Sequence, residues 1–246
     1  MKRYLIYGDA HLEQEKDTDG SYILMKKVAS SKRWDGIVCL GDLMDFQYIS
    51  HFADATDVEG KRLSADIDIL KDEIREMKKY LKKDGEFIYL AGNHEDRLEK
   101  LLRAQPMLAG LIDLKAICKE MGVEYITTQE QPYQWLDTLY LTHGLGYSKH
   151  FCAKLATEVG NNIITGHTHR TQSYTLSYPD GRTVTAYGLG SLTEMTEEYE
   201  KGKRVTCHSN SFGVVELDEE TNFWQFNTIM IHDGCCILDG KMYKLM

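Results

Sequence analysis

The feature that most constrains the fold is a pair of short apolar segments that each run into a Gly-Asp turn. Tyr4–Tyr7 is followed by glycine and Asp9, and Gly36–Leu40 is followed by glycine and Asp42. The residues between them, near Tyr22–Ala29, have the composition of a helix. A strand, a helix and a second strand in this order predict a βαβ unit with parallel strands. Both acidic turns then lie at the carboxyl edge of one sheet, where open α/β proteins bind ligands.

Three further apolar segments end in turns that carry histidine. Glu86–Ala91 leads into Gly92-Asn93-His94-Glu95, a strand at Leu139–Thr142 leads into His143-Gly144, and a strand at Asn162–Thr165 leads into Gly166-His167-Thr168-His169. Of the nine histidines in the chain, five lie in these turns or in the first Gly-Asp turn. Each turn alone has an ordinary interpretation as a helix cap or a buried histidine. Together they indicate a site built from strand ends.

The remaining pattern predicts helices outside the strands. Apolar residues recur at helical spacing from Leu63 to Leu81, which predicts a helix that stops at Asp84-Gly85. Further helices are predicted over 96–103 and 106–121, and Ser148 is expected to cap a helix that ends at Gly160. Ser21 is the expected cap of the first helix.

After residue 170 the pattern changes to paired strands. Turns at 179–181, 218–220 and 239–240 separate apolar segments, which predicts three antiparallel hairpins. We therefore expect one domain over 1–246, with a motif-bearing part (1–170) and a mainly antiparallel part (171–246). It should contain two packed sheets with helices outside.

Composition limits the partners. The formal net charge is -9 with a pI of about 5.5, which argues against a broad basic groove for duplex nucleic acid. A nucleotide or a single-stranded nucleic-acid end held by metal ions is still compatible with this charge, because bound cations reverse the local sign.

Six cysteines without a CxxC pair predict free thiols in a reducing compartment. Neither a signal-peptide core nor a membrane-spanning segment is expected, so we predict a cytoplasmic protein without membrane contact.

The polar turns supply mixed oxygen and nitrogen ligands. Carboxylates, one amide oxygen and at least three imidazoles suit Mn, Fe, Ni or Zn better than Mg or Ca. The number of ligands exceeds what one ion needs. Two divalent ions that share a carboxylate would use all of them.

In order along the chain, the motifs are Asp9-x-His11, Gly41-Asp42-x-x-Asp45, Gly92-Asn93-His94-Glu95, His143-Gly144 and Gly166-His167-x-His169. This series resembles the calcineurin-like metallophosphoesterases, and it spans residues 9–169. The resemblance implies an α/β fold, a four-layer α/β/β/α sandwich of two mixed sheets flanked by helices. It also implies hydrolysis of a phosphoester by a metal-bridging hydroxide.

The resemblance assigns roles to individual residues. Asp9, His11, Asp42 and His169 would hold one ion. Asp42, Asn93, His143 and His167 would hold the second, so that Asp42 bridges the two. His94 would be the catalytic imidazole beside the scissile phosphate, oriented by Asp45. Manganese is the expected metal, with Fe, Ni or Zn as alternatives.

Two departures bear on the substrate. Gly8 stands where the family usually has serine or another small residue, and the arginine of the protein-phosphatase branch is absent because Phe46 and Gln47 follow Asp45. The missing arginine weakens the case for a Ser/Thr protein phosphatase. A phosphodiester of a nucleotide or nucleic acid is slightly favoured over a monoester, because His11 would complete the first metal site and the acidic charge favours a compact substrate over a long duplex. Arg97 and Asn93 are tentative substrate-binding residues, and the alternative for Arg97 is a salt bridge at the start of the following helix. Two alternatives exist for three residues of the 46–60 insertion: they either line the site and stack a base, or pack beneath the insertion (Tyr48, His51 and Phe52). The remaining histidines outside the motifs are expected to be structural (His150, His208 and His232).

Three other functions stay open at this level. One is a phosphomonoesterase or protein phosphatase. Another is a metal-free binding scaffold, as in the retromer subunit that resembles this family, although none of the expected ligand positions is missing here. An Mre11-type nuclease ranks lower because such enzymes usually need a longer carboxyl-terminal part.

Overall fold

Two sheets and the helices outside them make up the computed structural model, which describes residues 1–14, 17–50, 53, 58–108, 110–128, 130–144, 146–193 and 208–245. The helices in these ranges are α1 (Gly20–Ala29), α2 (Leu63–Lys78), α3 (Asn93–Ala104), α4 (Leu114–Glu120) and α5 (Phe151–Val159). The strands are β1 (Lys2–Tyr7), β2 (Trp34–Cys39), β3 (Leu81–Ala91), β4 (Glu124–Thr127), β5 (Tyr133–Leu136), β6 (Leu139–Thr142), β7 (Asn162–Thr165), β8 (Gln172–Ser177), β9 (Thr183–Gly188), β10 (Asn210–Asp218), β11 (Phe223–Ile231), β12 (Cys235–Leu238) and β13 (Lys241–Lys244).

The first sheet has the order β11-β10-β1-β2-β3-β4 and the second has the order β5-β6-β7-β9-β8. β1, β2, β3 and β4 are mutually parallel, and β1-α1-β2 is the βαβ unit that the sequence predicts. β6, β7 and β9 are also parallel, so both sheets are mixed. The three expected hairpins are present as β8-β9, β10-β11 and β12-β13. Strands from the carboxyl-terminal part thus complete both sheets.

Alternation along the strands divides the core into layers. One face of the first sheet, with Leu5 and Ile37, packs on helices α1, α2, α3 and α4. Its other face, with Ile6 and Val38, packs on the second sheet through residues such as Leu141. The outer face of the second sheet packs on α5. The four-layer α/β/β/α sandwich is therefore confirmed.

Several predicted helix boundaries are wrong. Helix α2 ends at Lys78 because Leu81 pairs with Trp34 and begins β3, so Asp84 and Gly85 lie inside that strand. The predicted helix over 106–121 is a 3-10 turn at Pro106–Leu108 followed by α4.

The helix starts also differ. Asp19 rather than Ser21 caps α1, with its side chain accepting a hydrogen bond from the Ser21 backbone N–H. Helix α5 begins at Phe151 after His150, not after Ser148. Helix α3 begins at Asn93, which places the Asn-His motif in its first turn.

The five described cysteines are free thiols, as the sequence predicts, and Cys207 lies outside the described residues. Cys236 is buried and Cys235 is partly exposed, as expected from strand alternation. Among the described helices, none combines the length and apolar character needed to cross a bilayer.

Candidate metal centre

The carboxyl ends of parallel strands from both sheets meet in one cup. The turns after β1, β2 and β3 come from the first sheet, and those after β6 and β7 come from the second. Three groups of side chains there offer ligand atoms that lie within 4.8 Å of one another: Asp9 with His11 and His169, Asp42 with His143 and His167, and His11 with Asp45 and His94. The structure thus brings together the residues that the sequence singles out, and their role as ligands stays a prediction.

The first cluster joins the turns after β1 and β7. Nε2 of His11 lies 3.1 Å from Nε2 of His169, and Nε2 of His169 lies 3.4 Å from Oδ1 of Asp9. The Asp9 carboxylate also accepts hydrogen bonds from the backbone N–H of His167. Two imidazole nitrogens and a carboxylate oxygen that converge in this way can share one cation.

The second cluster joins the turns after β2, β3, β6 and β7. Nε2 of His143 lies 3.2 Å from Oδ2 of Asp42 and 3.0 Å from Oδ1 of Asn93. Nδ1 of His143 lies 3.0 Å from the carbonyl oxygen of Leu40, and an N–H donated there turns Nε2 toward the cup. Burial lowers the pKa of His143, but the Asp42 carboxylate more than offsets this and raises the value to about 9.

The donor set fits divalent cations. Nε2 of His167 is buried and has no hydrogen-bond partner in the described ranges, although a buried ring nitrogen normally has one. Burial and the neighbouring His143 charge lower the pKa of His167 to about 4, so its imidazole is neutral near pH 7. A neutral imidazole with a free lone pair is the form that binds a metal.

Asp42 faces both clusters through the same oxygen. Its Oδ2 lies 3.2 Å from Nε2 of His143 and 4.0 Å from Nε2 of His11, while its Oδ1 accepts a hydrogen bond from the backbone N–H of His94. Burial alone would raise the pKa of Asp42, but the adjacent His143 and His94 lower it well below its usual range. The carboxylate is therefore ionised and lies where one oxygen can serve two cations.

His94 lies beside this carboxylate and is oriented by Asp45. Nδ1 of His94 lies 2.9 Å from Oδ1 of Asp45 and 2.6 Å from the Asp45 carbonyl oxygen. Burial lowers the pKa of His94, whereas Asp42 and Asp45 raise it by more, so the net shift is upward. The same Asp45 oxygen lies 3.2 Å from Nδ1 of His11. One carboxylate thus orients both a candidate ligand and the candidate catalytic imidazole.

The model of the calcineurin-like phosphoesterase family matches residues 2–171. This range includes every turn of the cup. The chain belongs to the calcineurin-like phosphoesterases. Members of this family depend on two metal ions, and the two clusters around Asp42 provide places for a pair.

The solved structures that match this calcineurin-like chain have low sequence identity to it. A single mutant of Vps29 from Entamoeba histolytica is 13% identical, with a TM-score of 0.45, and the match covers 98% of this chain and 95% of that one. The nuclease MPE from Pseudomonas putida is 12% identical, with a TM-score of 0.41 and coverage of 85% and 83%. A dimetal phosphatase from Danio rerio is 14% identical, with a TM-score of 0.47 and coverage of 89% and 93%. No curated protein matches the sequence significantly.

Glu95 holds two turns of this calcineurin-like site together, a role that the sequence analysis did not assign. Its fully buried carboxylate accepts hydrogen bonds from the backbone N–H groups of Asp42, Leu43, Met44 and Gly92 and from the hydroxyl of Tyr89. The turn after β2 is thereby fixed to the start of α3. Gly92 permits this approach, because a Cβ at that position would lie 2.1 Å from Oδ1 of Asp42.

The backbone of the cup is held in a conformation that side chains rarely adopt. Asp9, His11, Asp42, His167 and His169 all have positive φ, between 48° and 70°. A left-handed conformation costs a residue with a Cβ about 1–2 kcal/mol. Five such residues at one site indicate that the surrounding hydrogen bonds enforce these turns, as is common at functional sites.

Arg97 does not line the cup. Nη1 of Arg97 donates to the Asp45 carbonyl oxygen at 2.9 Å and to Oε1 of Gln47 at 3.0 Å, and Nη2 lies 3.0 Å from Nε2 of His94. This corrects the alternative of a helix-start salt bridge, since the described contacts are with a carbonyl, an amide and an imidazole. Binding of substrate by Arg97 stays a prediction.

Two residues that the sequence analysis did not identify line the mouth of the cup, Tyr147 and Arg170. His208, expected to be structural, also lines it, with its ring 5.0 Å from that of His169. The side chain of Tyr48 is partly buried and does not line the cup. His51 and Phe52 lie outside the described residues.

Proposed function

We propose that this chain is a dinuclear-metal phosphoesterase that hydrolyses phosphodiester bonds of a nucleotide or of a single-stranded nucleic-acid end. The observation that carries the proposal is the position of Oδ2 of Asp42, which faces both clusters of candidate ligands. Asp9, His11, Asp42 and His169 would hold one ion, and Asp42, Asn93, His143 and His167 the other. Manganese suits this mixed set of oxygen and nitrogen donors.

The cations would acidify a water and neutralise the charge that develops on the phosphoryl oxygens. His94 would then act as the acid beside the leaving oxygen. Burial and Arg97 lower the pKa of its imidazole, but Asp42 and Asp45 raise it by more, which favours the protonated ring. A general acid in this position contributes typically about 10²–10⁴-fold to the rate. Asp45 fixes the orientation of the ring and carries the compensating charge.

Two observations favour a diester on a compact substrate. His11 gives the first cluster a second imidazole beside His169, so that two imidazoles are available on each side of Asp42. The net charge of -9 disfavours binding of a long duplex. We assign the protein to the cytoplasm as part of this proposal, since its free thiols suit a reducing compartment.

A hydrolysis panel tests the proposal. The purified protein is loaded with Mn, Ni, Zn or Mg, its metal content is measured, and it is assayed on bis-p-nitrophenyl phosphate, p-nitrophenyl phosphate, cyclic nucleotides and single-stranded DNA. We expect two bound ions per chain and faster turnover of diesters with Mn. Hydrolysis of monoesters alone would contradict the diesterase assignment. Two bound ions without turnover of any ester would contradict catalysis itself and favour a binding scaffold.

A further inference from the structure

The cup is too small to enclose more than the reacting group. Its cavity measures about 60 Å³, whereas pockets that enclose a small organic ligand measure roughly 300–1,000 Å³. The substituents of any phosphoester bound there must therefore extend past the rim. The residues at the rim, rather than those at the bottom, decide which substituents are preferred.

Tyr147 is the large aromatic side chain at this rim. Its ring lies 4.3 Å from the ring of His167 between centroids, at 54° between planes, and 71% of the residue is exposed to solvent. Contact with His167 uses one part of the ring and leaves the rest open. An aromatic surface with this exposure beside a phosphoester site can accept a planar group by stacking.

The position of Tyr147 is set by the core. The preceding Gly146 lies so close to Phe151 that a Cβ would come within 2.6 Å of that ring. Phe151 is buried at the start of α5 among Ile163 and Ala186 of the second sheet. The backbone that carries Tyr147 is thus packed against a fixed element, and little conformational freedom is lost when a ligand contacts the ring.

Arg170 adds a cation to the same rim. Nε of Arg170 is buried and has no hydrogen-bond partner in the described ranges, where the guanidinium also makes no ion pair. A buried N–H donor without an acceptor is unfavourable, and an oxygen of an anionic ligand at the cup would satisfy Nε of Arg170. An aromatic surface and a guanidinium beside one candidate phosphoryl site match a nucleotide, which combines a planar base with an anionic phosphate.

We propose that Tyr147 is a stacking platform for the nucleobase of the substrate and so determines a preference for nucleotide esters over alkyl or sugar esters. This inference rests on the proposed function and specifies its substrate class. The reacting phosphate lies in the cup, Arg170 binds a phosphoryl oxygen at the rim, and the base covers the open face of Tyr147. Stacking on one aromatic ring corresponds to about a 10-fold gain in affinity.

The test compares two phosphates that differ in the base alone. Binding of adenosine 5′-monophosphate and of ribose 5-phosphate to the manganese-loaded protein is measured by calorimetry. We expect the nucleotide to bind about 10-fold more tightly to the natural protein. Tyr147→Phe should keep this ratio, because stacking does not require the hydroxyl, and Tyr147→Ala should bring it close to 1. Tyr174→Ala serves as the matched control, since Tyr174 is an exposed tyrosine on β8.

The outcomes separate the two proposals. Equal affinity of the natural protein for the two phosphates would overturn the stacking platform even if esters are hydrolysed. A ratio that survives in Tyr147→Ala, in a variant with unchanged melting temperature and metal content, would overturn it as well. Failure to hydrolyse any ester would contradict the proposed function and would leave the affinity ratio as an independent measurement.

Discussion

Asp42 contacts residues of both clusters of candidate ligands. Its Oδ2 faces a histidine of each cluster, and its Oδ1 fixes the backbone at His94. An amide in its place would keep one oxygen but would lose the charge that, in the proposed function, balances two dications. A substitution at this position should therefore reduce metal binding more than a substitution of a ligand to a single ion.

We expect Asp42→Asn to lose both ions, because each cluster loses the carboxylate that they share. Metal content after gel filtration, measured by elemental analysis, checks this. Asp35→Asn is the control, since Asp35 is a carboxylate of β2 whose described contacts are with Arg3 and Lys82. Full metal content in Asp42→Asn would exclude a bridging role.

His94→Ala should keep both ions and lower kcat by about 10²–10⁴-fold, because it removes the acid beside the leaving group. The measurements are metal content and single-turnover rates on a diester. The third group of potential ligands contains His94 with His11 and Asp45, so loss of an ion in this variant would reassign His94 as a ligand. Unchanged turnover in the metal-loaded variant would remove it from the mechanism.

At the scale of elements, Glu95 connects the turn after β2 to the start of helix α3. Four backbone N–H groups and one hydroxyl donate to this buried carboxylate. A hydrogen bond to a charged acceptor contributes about 1.5–3 kcal/mol to stability. The geometry of Asp42 therefore follows from a residue that never touches the cavity.

Glu95→Gln should destabilise the fold by about 2–4 kcal/mol, since the new amide NH₂ faces donors instead of acceptors. Urea denaturation of the metal-free protein measures the change in the free energy of unfolding. Glu99→Gln, one turn further along α3, should stay within about 0.5 kcal/mol of the natural protein. Equal stability of the two variants would show that Glu95 is not needed to hold the turn.

The hairpin β12-β13 is attached to the first sheet by Asp239. Its carboxylate accepts two hydrogen bonds of 2.8 Å from Arg3 and also contacts Lys32. These partners hold the pKa of Asp239 well below the ordinary value of 3.8. The interaction therefore stabilises the fold above pH 3.8, and this contribution is lost as the pH falls through the lowered pKa.

Asp239→Asn should lower the free energy of unfolding at pH 7 by no more than about 1 kcal/mol, because the side chain is 46% exposed and solvent screens the pair. Asparagine tolerates the positive φ at this turn, so backbone strain does not confound the comparison. The difference between the two proteins should shrink as unfolding is measured at pH 4, 3 and 2. A difference that is constant with pH would exclude the charge as its cause.

Strand ends could be predicted from the sequence, whereas the contacts that orient them could not. An apolar run followed by Gly-Asp or Gly-His marks a turn by local chemistry, and parallel strands place such turns at one edge. The end of α2 depends instead on Leu81 pairing with Trp34, a contact between residues distant in sequence. The sequence did not predict the positions of Tyr147 and Arg170 or the role of Glu95, for the same reason. The neighbours of these residues are set by the packing of the two sheets.

At the scale of the molecule, the two sheets share the cup. Asp9, Asp42 and Asn93 follow strands of the first sheet, and His143, His167 and His169 follow strands of the second. Each cluster takes residues from both sheets, so bound cations would cross-link the two layers of the sandwich. Metal binding should then be coupled to global stability.

Removal of the ions should lower the melting temperature of the whole chain. At a free metal concentration 100 times the Kd of a site, binding adds about 2.7 kcal/mol of stability, and a chelator removes it. Calorimetric scans with manganese and with excess chelator measure the difference. Asp42→Asn should show almost no metal-dependent shift. An equal shift in that variant would indicate that the ions act elsewhere.

The left-handed backbone at Asp9, His11, Asp42, His167 and His169 has a consequence for laboratory evolution. Glycine at any of these positions would relieve backbone strain, but at Asp9 or Asp42 it would also remove an acceptor of a buried backbone N–H. Nε2 of His167, by contrast, has no hydrogen-bond partner among the described residues. A selection for heat resistance in metal-free medium should therefore replace His167 before either aspartate, and the selected proteins would be more stable and would have lost a candidate metal ligand.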